Sequence, residues 1–398
     1  MTVKLSKRVS EMQFSPIRRF NIFANEAKEQ GVKVYRLNIG QPDIETPPCF
    51  MEAIKNYDSK VIAYAESGGI TELLDAIIDY FKGYAMNYER DNIIITAGGS
   101  EALNMVFTSI LDAEDEVLIA EPFYTNYHTF ISAAGGRLVP VTTAAEEGYH
   151  YADRDKIEKV ITKKTKAIVC VNPGNPTGTI LTEDEIKLIL DIAKKHDLWV
   201  IADEVYREFA YDGRKITSFG MFDEYADRVI IIDSVSKRFS ACGARIGCAV
   251  TRNRELYDSL MKLAQGRLCT STVDQIGAAA LYRLDSSYYD KVRAEYESRR
   301  DAVYDEVMNI PGAVCRKPGG AFYMTVKLPV DGVEDFLMFL LKDFRDNNET
   351  VMFAPAQGFY ATPGLGKNEM RIAYVLKKED MVRGMQLISK GLEAYNSR

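Results

Sequence analysis

The sequence predicts an α/β protein with a mainly parallel central sheet, helices on both faces of that sheet, and a smaller α+β domain beside it. Three observations lead to this fold class. Short, mostly apolar runs recur through the middle of the chain, amphipathic helical stretches separate them, and 398 residues exceed the size at which one hydrophobic core keeps growing. Strands that alternate with helices in this way are typical of a parallel sheet covered on both sides.

Five apolar runs are predicted as strands that are buried on both faces, because they do not alternate between apolar and polar residues. They are Asn92–Thr96, Val117–Ala120, Ala167–Val171, Trp199–Ala202 and Val229–Ile232. In sheets of this type, ligands bind beyond the carboxyl ends of the strands. We therefore looked for chemistry in the segments that follow these runs.

The stretch 182–196 shows how the intervening helices are recognised. Its apolar residues Ile186, Ile189 and Leu190 fall on one helical face. Thr182 and Glu185 form the pattern of a capping box at its start. The sequence therefore predicts an amphipathic helix that packs on the sheet.

Composition excludes several classes of function. The content of 46% hydrophobic and 27% charged residues is that of an ordinary globular protein, and the absence of an 18-residue apolar run argues against a membrane span. A net charge of -7 with dispersed basic residues disfavours nucleic-acid binding. The three histidines and six cysteines show no metal-ligand spacing, so we expect no metal site and free thiols. The first twenty residues do not form a secretory signal, and we expect a soluble, cytoplasmic protein.

No repeat or flexible linker divides the chain, so the second domain is expected to form from both ends. We predict a large domain over residues 46–285, which would carry the ligand site. The small domain would consist of residues 1–45 and 286–398.

A glycine pair, Gly98 and Gly99, follows the first predicted strand and precedes Ser100 and a helical pattern. Glycine allows a backbone to approach an anion, and a helix amino terminus offers unpaired N–H groups. This segment is a candidate phosphate site, although a tight turn alone would have the same composition.

Polar residues also follow the third and fourth strands. Asn175 lies in a segment with two prolines and two glycines, which can present the Asn side chain into a cleft or can be only a structural loop. Asp203 comes directly after an apolar run. A carboxylate buried there requires a positive partner or an upward pKa shift, unless Asp203 simply caps a helix.

The segment after the fifth strand carries the strongest signal. Lys237 is flanked by serines, and Arg245 follows eight residues later between glycines. A lysine in this setting suits a Schiff-base amine, and an arginine suits a bidentate phosphate clamp. Both could be ordinary surface residues, but their occurrence at the same predicted sheet edge as the other segments favours a functional site.

Taken together, these segments resemble the fold-type I, class I aminotransferases of the aspartate aminotransferase family. The resemblance extends from Asn38 to Arg371 and includes Ser-x-Ser-Lys, Gly-x-Arg-x-Gly, Asn-Pro-Thr-Gly and Asp-Glu-x-Tyr. It implies a pyridoxal-5′-phosphate enzyme. Such an enzyme transfers the amino group of an L-amino acid, here aspartate or a related or aromatic amino acid, to a 2-oxo acid such as 2-oxoglutarate.

The resemblance also implies roles for individual residues. Lys237 would form the Schiff base with the cofactor and act as general base and acid. Asp203 would pair with the protonated pyridine nitrogen, and Asn175 and Tyr206 would bind the ring hydroxyl oxygen. Tyr124 would stack on the ring. The cofactor phosphate would be held by Gly98, Gly99, Ser100, Ser234 and Arg245.

Three further residues concern the substrate and the assembly. Arg371 resembles the arginine that grips the substrate α-carboxylate, with Asn175 beside it, and Gly40 would let the backbone approach the same group. Tyr64 resembles the tyrosine that reaches the phosphate of a neighbouring subunit. A homodimer with shared active sites is therefore expected.

The reaction and the substrate leave alternatives open. C–S lyases, decarboxylases and racemases share this scaffold with aminotransferases. A non-catalytic regulator could use the same fold, although the presence of Lys237 disfavours a regulator. A dicarboxylic substrate would need a second cation, for which Arg267 is a candidate. Phe14, Tyr64 and Phe359 could instead favour aromatic or aliphatic amino acids.

Overall fold

A computed structural model describes residues 3–10 and 12–398, and it confirms the predicted fold class. Met1, Thr2 and Glu11, which belong to the predicted small domain, lie outside the described residues. The strands are β1 (Lys33–Arg36), β2 (Ile93–Thr96), β3 (Glu116–Glu121), β4 (Arg137–Thr142), β5 (Thr165–Val171), β6 (Trp199–Asp203), β7 (Val229–Ser234), β8 (Gly247–Thr251), β9 (Tyr323–Lys327), β10 (Glu349–Met352), β11 (Ala354–Pro355) and β12 (Glu369–Ala373). The helices are α1 (Lys7–Ser10), α2 (Asn21–Glu29), α3 (Cys49–Lys55), α4 (Thr71–Lys82), α5 (Gly99–Ile110), α6 (Asn126–Ala133), α7 (Arg154–Glu158), α8 (Glu183–Lys195), α9 (Val235–Arg238), α10 (Arg254–Arg267), α11 (Thr272–Tyr282), α12 (Ser286–Met308), α13 (Val333–Lys342) and α14 (Lys378–Asn396).

The central sheet has seven strands in the order β2-β8-β7-β6-β5-β3-β4. All run parallel except β8, which is antiparallel to both of its neighbours. Each of the five predicted strands is present. Three of them extend to a polar residue at the carboxyl end, namely Glu121, Asp203 and Ser234, so the sheet itself fixes the position of these side chains.

Helices cover both faces of this sheet. Successive isoleucines of β2 and β7 enter different hydrophobic clusters: Ile231 packs with residues of α4, α8 and α11, whereas Ile230 and Ile232 pack with residues of α5, α6 and α10. This is the arrangement expected of strands that are buried on both sides.

Helix α8 begins with the predicted capping box. The Thr182 hydroxyl oxygen accepts from the Glu185 N–H at 3.3 Å, and the Glu185 carboxylate accepts from the Thr182 N–H at 2.7 Å. Its buried residues include Ile186, Ile189 and Leu190.

A third hydrophobic cluster joins residues from both ends of the chain, from Phe20 to Leu392. It covers the parallel pair β1-β10 and the three-stranded antiparallel sheet β11-β12-β9. The six cysteines are free thiols, as predicted. No helix among residues 3–10 and 12–398 combines the length and the hydropathy needed to cross a bilayer.

Candidate active site

A cavity of about 460 Å³ lies at the carboxyl ends of β6 and β7, where the central sheet meets β9 and β12. Its size is within the range of small-molecule sites. Most of the predicted site residues line it, and these are Gly40, Gly99, Ser100, Tyr124, Asn175, Asp203, Tyr206, Ser234, Lys237, Arg245 and Arg371. The fold therefore brings together residues that are separated by more than 300 positions.

Lys237 projects into this cavity from the short helix α9. The Ser234 side chain caps that helix by accepting from the Ser236 N–H at 3.1 Å, which fixes where the lysine emerges from the sheet. The Lys237 Nζ donates to the Gly40 carbonyl oxygen at 2.9 Å. Within the described part of the chain this amine has no ion-pair partner, so it is available to a ligand.

Asp203 is a buried carboxylate at the end of β6. It accepts a hydrogen bond from the Tyr127 hydroxyl at 2.5 Å and a longer one from the Val205 N–H at 3.4 Å. Burial raises the pKa of Asp203 to about 6, against the lowering effect of these two hydrogen bonds. No cation among the described residues pairs with it.

Other buried charges close to the site do have partners. Arg207 pairs with Glu204 at 2.7 Å and with Asp233 at 3.0 Å, and Arg238 also pairs with Asp233. Because these groups neutralise one another, each compensates the cost of burying the other's charge. Asp203 differs from them because no basic side chain among the described residues pairs with it.

Arg371 is a buried cation that, like Asp203, lacks a partner of opposite charge. No acidic side chain in the parts of the chain that are described pairs with its guanidinium. It extends from β12 and donates from Nη1 to the Asn175 side-chain oxygen at 3.2 Å and from Nη2 to the Asn38 carbonyl oxygen at 2.6 Å. Its Nε has no hydrogen-bond partner among residues 3–10 and 12–398. Burial lowers the pKa of Arg371. The cavity thus holds one buried anion and one buried cation, and neither has a counter-ion among the described residues.

The phosphate end of the predicted site lies at the start of α5. Gly98 adopts a left-handed φ of 79°, and the Arg245 guanidinium lies so close to it that a Cβ at this position would collide. Arg245 donates to the carbonyl oxygens of Ala97 and Cys242, each at 3.1 Å. Gly98 does not line the cavity itself, but it makes room for the arginine that does.

Comparison with known proteins agrees with this geometry. Residues 32–388 match the family model described as Aminotransferase class I and II. The chain belongs to this family.

Named relatives act on different amino acids. An aspartate aminotransferase of Bacillus subtilis (strain 168) is 31% identical, with 99% of this chain and 100% of that protein covered. Aromatic-amino-acid aminotransferase 2 of Thermococcus litoralis is 30% identical, with 98% of each covered. The solved structure of an alanine aminotransferase from Pyrococcus furiosus has a TM-score of 0.89 at 30% identity, over 98% of this chain and 100% of that one. The chain is therefore a transaminase, and members of the aminotransferase class I and II family depend on pyridoxal phosphate.

The residues present fit the family cofactor. Asp203 offers an uncompensated carboxylate to a protonated ring nitrogen, and Lys237 offers an unpaired amine to an aldehyde. Arg245 and the α5 amino terminus offer donors to a phosphate. Each charged group of the cofactor thus has a complementary group in this cavity.

Four tyrosines complete the wall of this aminotransferase site, and the sequence indicated only Tyr124 and Tyr206. The Tyr206 hydroxyl lies 3.0 Å from that of Tyr323, and a Cβ on Gly40 would collide with the Tyr323 ring. Burial raises the pKa of Tyr124 to about 12. Tyr323 was missed because it carries no local motif. Tyr127 was also missed, although it lies three residues after Tyr124 and its ring packs edge to face against the Tyr124 ring, with 5.9 Å between the centroids.

Besides Gly98, four of the named candidates do not line the cavity, namely Tyr64, Arg267, Phe14 and Phe359. Tyr64 does not line it, and its side chain is 81% exposed. Arg267, the candidate second cation, donates to the carbonyl oxygens of Ile95 at 2.7 Å and Ser67 at 3.4 Å. It therefore does not line the cavity of its own chain, and this geometry does not support Arg267 as the second cation.

Proposed function

We propose that this aminotransferase moves the amino group of an L-amino acid to a 2-oxo acid such as 2-oxoglutarate, with Lys237, Asp203 and Arg371 as its central residues. One observation carries the proposal. A buried carboxylate and a buried guanidinium share a cavity with a lysine amine, and none of the three has a counter-ion among the residues that the structure describes. Uncompensated buried charges are costly, and they are retained where a ligand neutralises them.

The residues around the ring have separate roles in this proposal. When bound, pyridoxal phosphate supplies a carrier for the amino group and a sink for the electrons released at the substrate Cα. Asp203 keeps a proton on the ring nitrogen, and the Tyr127 hydroxyl orients its carboxylate. Asn175 and Tyr206 bind the ring hydroxyl oxygen, and Tyr124 packs against the ring.

In this proposal the cofactor phosphate binds at the start of α5, where Arg245 and Ser234 also line the cavity. Arg245 supplies the positive charge, and its fork-shaped guanidinium matches two phosphate oxygens. The remaining donors are Gly98, Gly99, Ser100 and Ser234.

Substrate binding and proton transfer fall to the two unpaired cations. Arg371 grips the α-carboxylate, held in place by Asn175 and by the Asn38 carbonyl oxygen, and the absence of a side chain at Gly40 keeps the approach open. Lys237, once its amine is free, takes a proton from the substrate Cα and returns it later in the reaction. The position of Arg371 in β12 also means that substrate binding can draw the terminal segments towards the central sheet and exclude water.

The larger organisation is part of the same proposal. We assign residues 46–285 to a large domain and residues 1–45 and 286–398 to a small one. The hydrophobic cluster that joins the two ends supports this division, although it also includes Tyr206, Phe209 and Tyr211. We assign Tyr64 to the phosphate site of a second subunit, which makes the enzyme a homodimer. The six free thiols favour the reducing cytoplasm as its location.

A Lys237→Ala variant tests this proposal. Loss of the amine removes both the covalent attachment of the cofactor and the proton carrier, so turnover should fall by about 10²- to 10⁴-fold or more. Glutamate formation from 2-oxoglutarate would be measured with a panel of L-amino acids. Lys262→Ala, on the exposed face of α10, is the matched control and should retain full activity.

Full turnover by the Lys237→Ala variant would contradict the assignment of this lysine. Release of pyruvate and ammonia from cystathionine, without glutamate formation from any donor, would favour the C–S lyase alternative instead.

A further inference from the structure

The charges that line the cavity do not balance once the proposed roles are assigned. Four cations line it, namely Arg18, Lys237, Arg245 and Arg371, whereas Asp203 is the one acid among the described residues that does so. In the proposed function the cofactor binds Lys237, Arg245 and Asp203, and the substrate α-carboxylate binds Arg371. No partner in that proposal, or among the described residues, is assigned to Arg18.

Arg18 is an exposed residue that lines the cavity, and hydrogen bonds support the backbone around it. Its N–H donates to the Ser15 carbonyl oxygen at 3.2 Å, and the carbonyl oxygen of Ile17 accepts from the Asn38 side chain at 3.4 Å. The Asn38 backbone oxygen accepts in turn from Arg371 at 2.6 Å. Arg18 and Arg371 are therefore positioned through the same residue.

Hydrophobic contacts fix the same turn. Ile17 packs against the buried cluster of Ala354, Ala356 and Phe359, and Pro16 lies against Gly358, where a Cβ would not fit. Phe359 also lies under Arg371, with 5.0 Å between the guanidinium carbon and the ring centroid. The turn that carries Arg18 is thus part of the wall that carries the α-carboxylate site.

The side chain of Arg18 differs from that of its neighbour. Arg19 forms an ion pair with Glu334 and lies 4.6 Å over the Phe20 ring. Arg18 has no hydrogen-bond or ion-pair partner for its guanidinium anywhere in residues 3–10 and 12–398. Its charge acts on the cavity, because it is one of the groups that oppose the effect of burial on the pKa of Tyr124.

We propose that Arg18 binds a second carboxylate on the substrate, so that dicarboxylic amino acids are the preferred amino donors. The inference rests on the proposed function of this site, because Arg371 is taken to hold the α-carboxylate. An arginine fork presents two parallel donors to a carboxylate, which makes it a stronger and more selective partner than a single charge. An alkyl or aromatic side chain would leave this cation without a partner.

Binding of succinate and butyrate to the holoenzyme tests the inference without relying on turnover. The two acids have the same chain length and differ in the second carboxylate. Calorimetric titration should show tighter binding of succinate to the wild type. In an Arg18→Gln variant the succinate Kd should rise by about 10- to 100-fold, the range expected for a charge-assisted hydrogen bond, while the butyrate Kd stays within about 3-fold.

Two further variants sharpen the result. Arg19→Gln removes the neighbouring charge and should leave the preference for succinate unchanged. Arg18→Lys keeps the charge without the fork and should restore part of the affinity. Equal affinity of the wild type for the two acids, an unchanged succinate Kd in Arg18→Gln, or an equal loss of both acids would overturn the inference.

Turnover separates this inference from the proposed function. In the wild type, kcat/KM for L-aspartate should exceed that for L-leucine, and Arg18→Gln should lower the first by about 10- to 100-fold and the second by less than about 3-fold. If the enzyme transfers the amino group of leucine at least as well as that of aspartate, the proposed function stands and the role of Arg18 is overturned. Absence of transfer from every donor would contradict the proposed function, and the succinate titration would still decide the role of Arg18.

Discussion

The buried carboxylate of Asp203 lowers the stability of the folded protein before a ligand binds. Its carboxylate is buried, and its partners are a tyrosine hydroxyl and a backbone N–H, both neutral. Neutral donors offset only part of the desolvation of a charge, and the pKa of Asp203 consequently rises to about 6. This places a local destabilising charge in the cofactor-free protein at neutral pH.

The pH dependence of stability should reveal this charge. In the unfolded chain Asp203 ionises near its ordinary value of 3.8, whereas in the folded protein it keeps its proton until about pH 6. The folded state therefore binds more protons between these values, and stability falls as pH rises through this window and stays lower above it. Two pKa units correspond to about 3 kcal/mol.

The measurement is urea unfolding of cofactor-free protein at intervals from pH 4 to pH 7. The Asp203→Asn variant lacks the titrating group, so its stability relative to the wild type should improve by about 2 to 3 kcal/mol across this range. Parallel curves for the two proteins would show that Asp203 carries no buried charge. In the holoenzyme the same variant should lose activity, because the ring nitrogen loses its counter-ion.

Residues with an unusual local context could be predicted from the sequence. Lys237 between serines and Asp203 at the end of an apolar run are examples, and the structure brings both to one cavity. Tyr323 and Arg18 could not be found in this way, because their position depends on which elements the fold places opposite the sheet. Arg267 is a residue that the sequence suggested and the structure places elsewhere. Its guanidinium donates to backbone carbonyl groups, and such contacts cannot be read from the sequence.

Among the elements, β3 has a structural role that its sequence did not indicate. Its last residue, Glu121, accepts from the side chains of Thr142 at 2.8 Å and Thr362 at 2.6 Å. It also accepts from the N–H groups of Ala361 and Thr362 at 2.9 Å and 3.0 Å. The carboxylate thus fastens the segment after Phe359, which packs under Arg371, to the central sheet.

A Glu121→Gln substitution should weaken this attachment. The amide turns a donor towards groups that themselves donate, so the free energy of unfolding should fall by about 1 to 3 kcal/mol. The KM for the amino donor should rise, because the support of Arg371 is loosened. Urea unfolding and steady-state kinetics would measure the two effects.

Thr182→Ala is the matched control for this experiment. It removes the cap of α8, which does not line the cavity, and should cost about 1 kcal/mol with no change in KM. If Glu121→Gln lowers stability but leaves KM as in Thr182→Ala, the carboxylate stabilises the fold without positioning Arg371.

Strand prediction succeeded where a run of apolar residues is nearly continuous. The five predicted strands are mostly apolar, and the structure contains all of them. Strand β4 was missed because it is a partly exposed edge strand that contains Pro140. Strand β8 was missed because it directly follows a segment that contains Gly243 and itself begins with Gly247. In these two strands, tertiary pairing with β3 and with β2 and β7 outweighs a weak local pattern.

For the whole molecule, the segment around Tyr64 bears on assembly. Val61 and Ile62 are exposed by 68% and 70% in the single chain, beside the exposed ring of Tyr64. Consecutive exposed apolar side chains favour an interface with another subunit. A shared active site would bury this segment and bring Tyr64 to the neighbouring phosphate.

Mixed dimers should reveal such sharing. A chain with Lys237→Ala and a chain with Tyr64→Phe each impair both sites of their own homodimer. In a mixed dimer, one site combines the intact Lys237 of one chain with the intact Tyr64 of the other. After the two variants are unfolded and refolded together, activity should exceed the sum of the separate variants and approach one quarter of the wild type per chain.

Activity equal to that sum would show that each chain completes its own site. Refolding each variant alone, under the same conditions, controls for losses during the procedure.

The account depends above all on the cofactor being joined to Lys237. Reduction of the purified holoenzyme with borohydride would make that linkage permanent, and mass spectrometry of its peptides would locate the label. We predict that the label lies on the peptide that contains Lys237 and that the Lys237→Ala variant carries none. A label on a different lysine, or no label on colourless protein after reconstitution with pyridoxal phosphate, would contradict the account.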